Sequence, residues 1–93
     1  MTVEEQLREE VRRYLHQEHT LRQLHRWLAG HVRQLADSPD EAARRLDGLA
    51  WLLISEYSYG HRTEDSVRAR LTAAAPELAS HLDRVTVLAG DRS

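Results

Sequence analysis

Ser38-Pro39-Asp40-Glu41 decides how this chain divides. The serine hydroxyl can accept the amide of a helix's first turn, and proline suits the first helical position because no N–H is needed there. Glu41 is placed to reach back to the cap, and the two acids favour the positive end of the helix dipole. A helix therefore starts at Pro39, with one helical half on either side.

Outward to the C-terminal side, Ala43, Leu46, Leu49/Ala50, Leu53 and Tyr57 make a stripe at helical spacing, giving a helix over 39–58. Within it Leu49-Ala50-Trp51-Leu52-Leu53-Ile54 is apolar on every side, the pattern of a helix covered all round, so this segment reads as the central element. Tyr57 falls on the stripe and is expected in the core. Gly60 supplies a left-handed stop. Thr63 caps a helix over 63–75, followed by Glu64 and Asp65 in its first turn and by Val67 and Leu71 on its inner face; Pro76 ends or kinks it. Leu78, Leu82 and Val85 suggest a last helix over 77–87, with a frayed tail from Gly90.

Outward to the N-terminal side, Thr2 and Glu5 have capping-box form. Val3, Leu7, Val11, Tyr14 and Leu15 give an amphipathic helix over 3–17. Leu21, Leu24, Leu28, Val32 and Leu35 continue nearly in phase, so a single helix through both stretches is conceivable. Against it, the stripe lacks an apolar residue near position 18, and Thr20 with Gln23 forms a second capping box. The reading adopted is a break at 17–20 and a second helix over 21–36.

Shifted by 43 residues, the halves correspond: Val3 with Leu46, Leu7 with Ala50, Val11 with Ile54, Tyr14 with Tyr57, Thr20 with Thr63, Leu24 with Val67. Helical period alone produces most of these matches, so a duplicated helical hairpin and coincidence both stand. Either way, short connections lead to an all-α, antiparallel four- to five-helix bundle in one domain, residues 1–93.

Composition narrows function. There is no cysteine, hence no disulfide framework and no thiolate zinc site. No apolar run approaches the roughly 18–20 residues of a membrane span, and the first residues are acidic, unlike a signal peptide, so a cytoplasmic protein is expected. All 13 basic residues are arginine against 15 acids; with no lysine, asparagine or phenylalanine, this bias suggests a GC-rich genome. A net charge of −2 argues against general nucleic-acid binding, which leaves an adaptor acting through a local arginine face as a third-ranked reading.

Six histidines (His16, His19, His25, His31, His61, His81) invite a metal, but HExxH and paired Glu-x-x-His motifs are missing, and His16 and His19 suit a helix end instead. The serines lie in no nucleophile elbow, and the four glycines form no phosphate loop. Asp47 and Glu56 on the central helix read as solvated or arginine-paired. No catalytic residue, cofactor or metal is assigned, and an enzyme is not expected.

Two groups remain for a partner. Arg8, Arg12 and Arg13 follow Glu4, Glu5, Glu9 and Glu10 at ion-pair spacing, whereas Arg22, Arg26 and Arg33 have few acids near them. Tyr59, His61 and Arg62 lie off the apolar stripe beside the glycine turn and are residue types found at binding hot spots. A protein partner, with a homodimer through apolar helix faces as one possibility, is the expectation; no membrane is involved.

The stretch from Leu52 to Leu71, LLISEYSYGHRTEDSVRARL, resembles small uncharacterised actinobacterial helical proteins. Its helix, glycine turn, threonine cap and Val67/Leu71 spacing are also similar to bacteriocin-immunity proteins of the colicin D type. That resemblance implies binding and neutralisation of a cognate toxin, usually by an acidic face set against a basic nuclease. The charge here is only −2, and the turn carries His61 and Arg62, so toxin neutralisation stands second to a general interaction module.

Overall fold

A computed structural model describes residues 1–80. Over that span the chain is all-helical: α1 (Val3–Leu15), α2 (Leu21–Ala29), α3 (Val32–Ala36), α4 (Glu41–Ser58), α5 (Glu64–Ala74) and α6 (Pro76–Ala79). The outer part of the helix expected over 77–87, with Leu82 and Val85, and the tail from Gly90 lie outside the described residues, as does His81.

Local chemistry sets most boundaries. Thr2 and Glu5 cap α1 reciprocally, and Thr20 and Gln23 do the same for α2. The Thr63 hydroxyl accepts the Ser66 amide at the start of α5. Such a cap contributes about 1 kcal/mol. Between α1 and α2, Gln17 takes φ +62°, and α1 ends at Leu15, two residues before the expected end, with His16 as its C-cap. Gly60 takes φ +78° after α4, a region from which side chains are largely excluded.

Ser38-Pro39-Asp40-Glu41 behaves differently from the expectation. Asp40, not Ser38, is the N-cap of α4: its carboxylate accepts the Ala43 amide at 3.1 Å and pairs with Arg8 at 2.8 Å. Ser38 is buried instead. Its hydroxyl accepts the Asp40 amide and donates to the Glu4 carboxylate of α1, while its carbonyl accepts from Arg44. Pro39 precedes the helix, and Glu41 pairs with Arg45 at 2.6 Å rather than returning to the cap. A carboxylate two residues downstream caps as well as a hydroxyl, and that frees Ser38 to tie the corner to α1.

The helix expected over 21–36 is interrupted. The His31 ring stacks on Trp27, centroids 4.1 Å apart, and its Nδ1–H donates to the Trp27 carbonyl at 2.7 Å. In an unbroken helix that carbonyl would receive the His31 amide, which bonds Leu28 instead. With Gly30 beside it, the least favourable helix residue after proline, the chain turns and restarts as α3.

The core gathers Leu7, Val11 and Tyr14 of α1, Leu21, Leu24 and Leu28 of α2, Leu35 of α3, Leu46, Ala50, Leu53 and Ile54 of α4, and Val67 and Leu71 of α5. Helix α4 packs on α1, α2, α3 and α5. It is not covered all round: Leu52 is 53% exposed, and Leu49 and Trp51 are only partly buried. The apolar run is longer than the face its neighbours cover. Tyr57, placed in the core by its stripe, is 41% exposed, because α4 ends one residue later; Tyr14 is the buried tyrosine. Across the two halves the threonines thus play one role and the tyrosines two.

Candidate functional site

The capping box at Thr20 fixes where α2 begins, and so places Arg22 and His25 on its first turns, beside the chain break at 17–20. The cap at Thr63 does the same for Glu64 and Arg68 on α5. These walls meet the last turn of α4, with Ile54, Tyr57 and Ser58, around a cleft of about 520 Å³. That is the size of a small-molecule or side-chain pocket.

Glu64 and Arg68 of its wall belong to a part-buried polar junction with Tyr14 behind them. Glu64 accepts the Tyr14 hydroxyl at 3.1 Å and Arg68 at 3.0 Å, and the Arg68 guanidinium carbon lies 5.3 Å from the Tyr14 ring centroid. Burial, then the Glu64 carboxylate, holds the Tyr14 hydroxyl protonated well above the ordinary tyrosine range. The Arg68 Nε–H is buried and has no hydrogen-bond acceptor among the described residues. On the rim His19 donates through Nδ1 to Glu10 at 2.8 Å. His25 sets its ring edge-on to Trp51 at 5.3 Å.

The charge of the cleft is positive. Glu64 is the acid lining it, and that carboxylate is engaged by Tyr14 and Arg68. Arg22 is exposed and makes no ion pair among the described residues. Arg26, one turn further along α2, and Arg33 on α3 are in the same state. From Thr20 to Ala36 the chain holds three arginines and no acid. Most other described arginines are used internally: Arg8 by Asp40, Arg12 and Arg13 by Glu9, Arg45 by Glu41, Arg68 by Glu64.

Of the residues singled out from sequence, Arg22 lines the cleft and Arg26 continues its wall; Arg33 stands apart on α3. Tyr59, 79% exposed, and His61 form the α4–α5 corner. Arg62 is not free for a partner. It pairs with Glu56 at 2.7 Å and donates to Ser66 at 2.6 Å, bracing the glycine turn, with its side chain only 19% exposed. Sequence reasoning missed Tyr57, His25 and Arg68. Nothing local joins them, since each comes from a different helix.

Among the described residues no group of three or more His, Asp or Glu side chains converges as a metal site would. Asp47 on α4 is the acid whose pKa is raised, by burial first, with a hydrogen bond from Trp51 opposing; its Oδ1 has no partner among the described residues. The linkage has a definite sign. An acid whose folded pKa exceeds its unfolded value favours the fold while protonated and opposes it once ionised. Asp47→Asn is therefore expected to raise the thermal midpoint at pH 7 relative to wild type, with the difference closing below about pH 4. Calorimetry at both pH values checks this; a variant less stable at pH 7 would show that the charge is compensated in the fold.

No family model, curated protein or solved structure matches this chain.

Proposed function

We propose that the protein is a non-catalytic protein-interaction module, an antiparallel helical bundle whose cationic cleft receives an acidic segment of a partner protein in the cytoplasm. Short connections at 16–20 and 59–63 support the antiparallel arrangement, since they turn α1 back along α2 and α4 back along α5. The observation that carries the reading is Arg22 and Arg26, exposed and without an ion pair among the described residues, beside His25 and Tyr57, where most of the other described arginines are paired. Aromatic and arginine side chains together are the usual anchors of a protein interface, and complementary charge sets its register and on-rate.

The toxin-neutralising alternative asks for an acidic face. The acids of α1 are poorly available for one: Glu4 accepts from Ser38, Glu5 closes the Thr2 cap, Glu9 takes Arg12 and Arg13, and Glu10 takes His19. These contacts favour the acidic-partner reading over a basic one.

The test is a titration with a fluorescein-labelled glutamate-rich peptide carrying one tryptophan. Wild type is compared with Arg22→Glu/Arg26→Glu, and with Arg70→Glu on α5 as a control. The cleft variant is expected to bind about tenfold or more weakly, because a charge is reversed where the peptide sits, while the control changes little. Equal binding by the cleft variant and wild type would remove the reading. Duplex DNA bound more tightly than the peptide, with a steep salt dependence, would put the nucleic-acid adaptor in its place.

A further inference from the structure

Among the described residues, two histidines line the cleft, and their surroundings differ. His19, in the turn before α2, bonds Glu10 of α1 at 2.8 Å, and both side chains are largely covered. A proton gained by that ring is met at once by the carboxylate, so the charge offered to a ligand hardly changes. His25 is exposed on α2, its ring set edge-on to Trp51 of α4, and it has no hydrogen bond or ion pair among the described residues. It lies three positions after Arg22, so the two share one face of the helix, and both line the cleft. The other charged or titratable groups around His25 are Arg26 on α2, Asp47 and Tyr57 on α4, and Glu64 with Arg68 on α5. Asp47 is bonded to Trp51, is pushed toward its neutral form by burial, and stands outside the cleft lining. Glu64 is engaged by Tyr14 and Arg68. No uncommitted carboxylate of the described cleft would cancel a charge on His25.

We infer that pH sets how tightly the cleft holds its acidic segment, and that His25 is the residue through which it acts. This rests on the acidic-partner reading given above. Histidine is the side chain that gains charge between about pH 8 and pH 5. A protonated His25 adds a cation beside Arg22, on the wall that meets the ligand. The glutamates of the partner stay ionised down to about pH 5, so charge grows on one side of the contact and is kept on the other. Linkage makes the effect reciprocal: protons tighten the segment, and the segment draws a proton onto the imidazole. Exposed charges act on each other through water, which limits the gain to about threefold to fivefold between pH 8 and pH 6. Added salt reduces it further. The cleft is thus a holder that grips in mildly acidic conditions and loosens in alkaline ones.

Isothermal titration calorimetry with the unlabelled glutamate-rich peptide tests it, at low salt and at about pH 8 and pH 6. Buffers of different ionisation enthalpy report the protons taken up, and circular dichroism confirms that each variant is folded at both pH values. Wild type is expected to bind about threefold to fivefold more tightly at the lower pH, with proton uptake on binding. His25→Gln binds at both pH values as wild type does at pH 8, and the uptake is lost. His25→Arg, whose charge is fixed, binds at both as wild type does at pH 6. His19→Gln keeps the response. A wild-type affinity indifferent to pH, or a response that survives in His25→Gln, overturns the inference. It leaves the acidic-partner reading standing wherever Arg22→Glu/Arg26→Glu still weakens binding at pH 8. Undiminished binding by that double variant at pH 8 removes the reading itself, and the inference with it.

Discussion

Tyr14→Ala is expected to lower the free energy of unfolding by about 3–5 kcal/mol, a large part of the roughly 5–15 kcal/mol available to a small domain. Tyr14 is wholly buried and is the largest side chain in that state among the described residues. Its ring lies against the core on α1, and its hydroxyl reaches Glu64 on α5, 50 positions along the chain. Truncation would leave a cavity at the junction of two helices and remove a donor from a part-buried carboxylate. Tyr14→Phe separates the contributions. The ring stays, Arg68 still holds Glu64, and the loss falls to about 0.5–1.5 kcal/mol. Urea denaturation of both variants gives the comparison directly. If the phenylalanine variant loses as much as the alanine variant, the hydrogen bond and not the packing secures this junction.

What the sequence made legible, and what it hid, follows the distance over which each interaction acts. Thr2 with Glu5 and Thr20 with Gln23 were readable because donor and acceptor lie three residues apart, and Gly60 because a left-handed stop depends on one residue. The corner at Ser38 was misread because its hydroxyl answers to Glu4, 34 positions away, and its neighbour Asp40 to Arg8, 32 away. No local rule ranks Asp40 above Ser38 as a cap. The break at His31 turned on a side chain competing for a backbone carbonyl, a choice that apolar periodicity does not record. Leu52 and Tyr57 show the limit of the stripe: it gives the phase of a helix, not where the neighbours that cover it stop.

The site was half legible for the same reason. Arg22 and Arg26 stood out because unpaired charge can be seen as a lack of acids within four residues. Arg62 misled because Glu56 lies six residues back across the turn, beyond the helical pairing rule, and folding brings the two to 2.7 Å. The meeting of Tyr57, Glu64 and Arg68 with α2 requires three helices to be placed first. That is where sequence reasoning ends and tertiary structure begins.

Helix α2 is the weak wall of the cleft, and Leu24→Ala should show it. Nine residues are too few for a helix to persist alone in water, so α2 exists through the burial of Leu21, Leu24 and Leu28 on one stripe. Leu24 is the fully buried middle one, and its truncation is expected to cost about 2–5 kcal/mol. The loss should not be uniform. Amide exchange is expected to quicken first along α2, well before the interior of α4, because a short helix can detach while α4 keeps its contacts with α1 and α5. Affinity for the acidic peptide should fall with it, since Arg22 and Arg26 ride on the detached segment. The charge-reversed Arg22→Glu/Arg26→Glu protein provides the contrast: binding lost, stability and exchange nearly those of wild type. Equal quickening of α2 and α4 in Leu24→Ala would mean that the domain opens as one unit, and that the cleft wall is no more labile than its core.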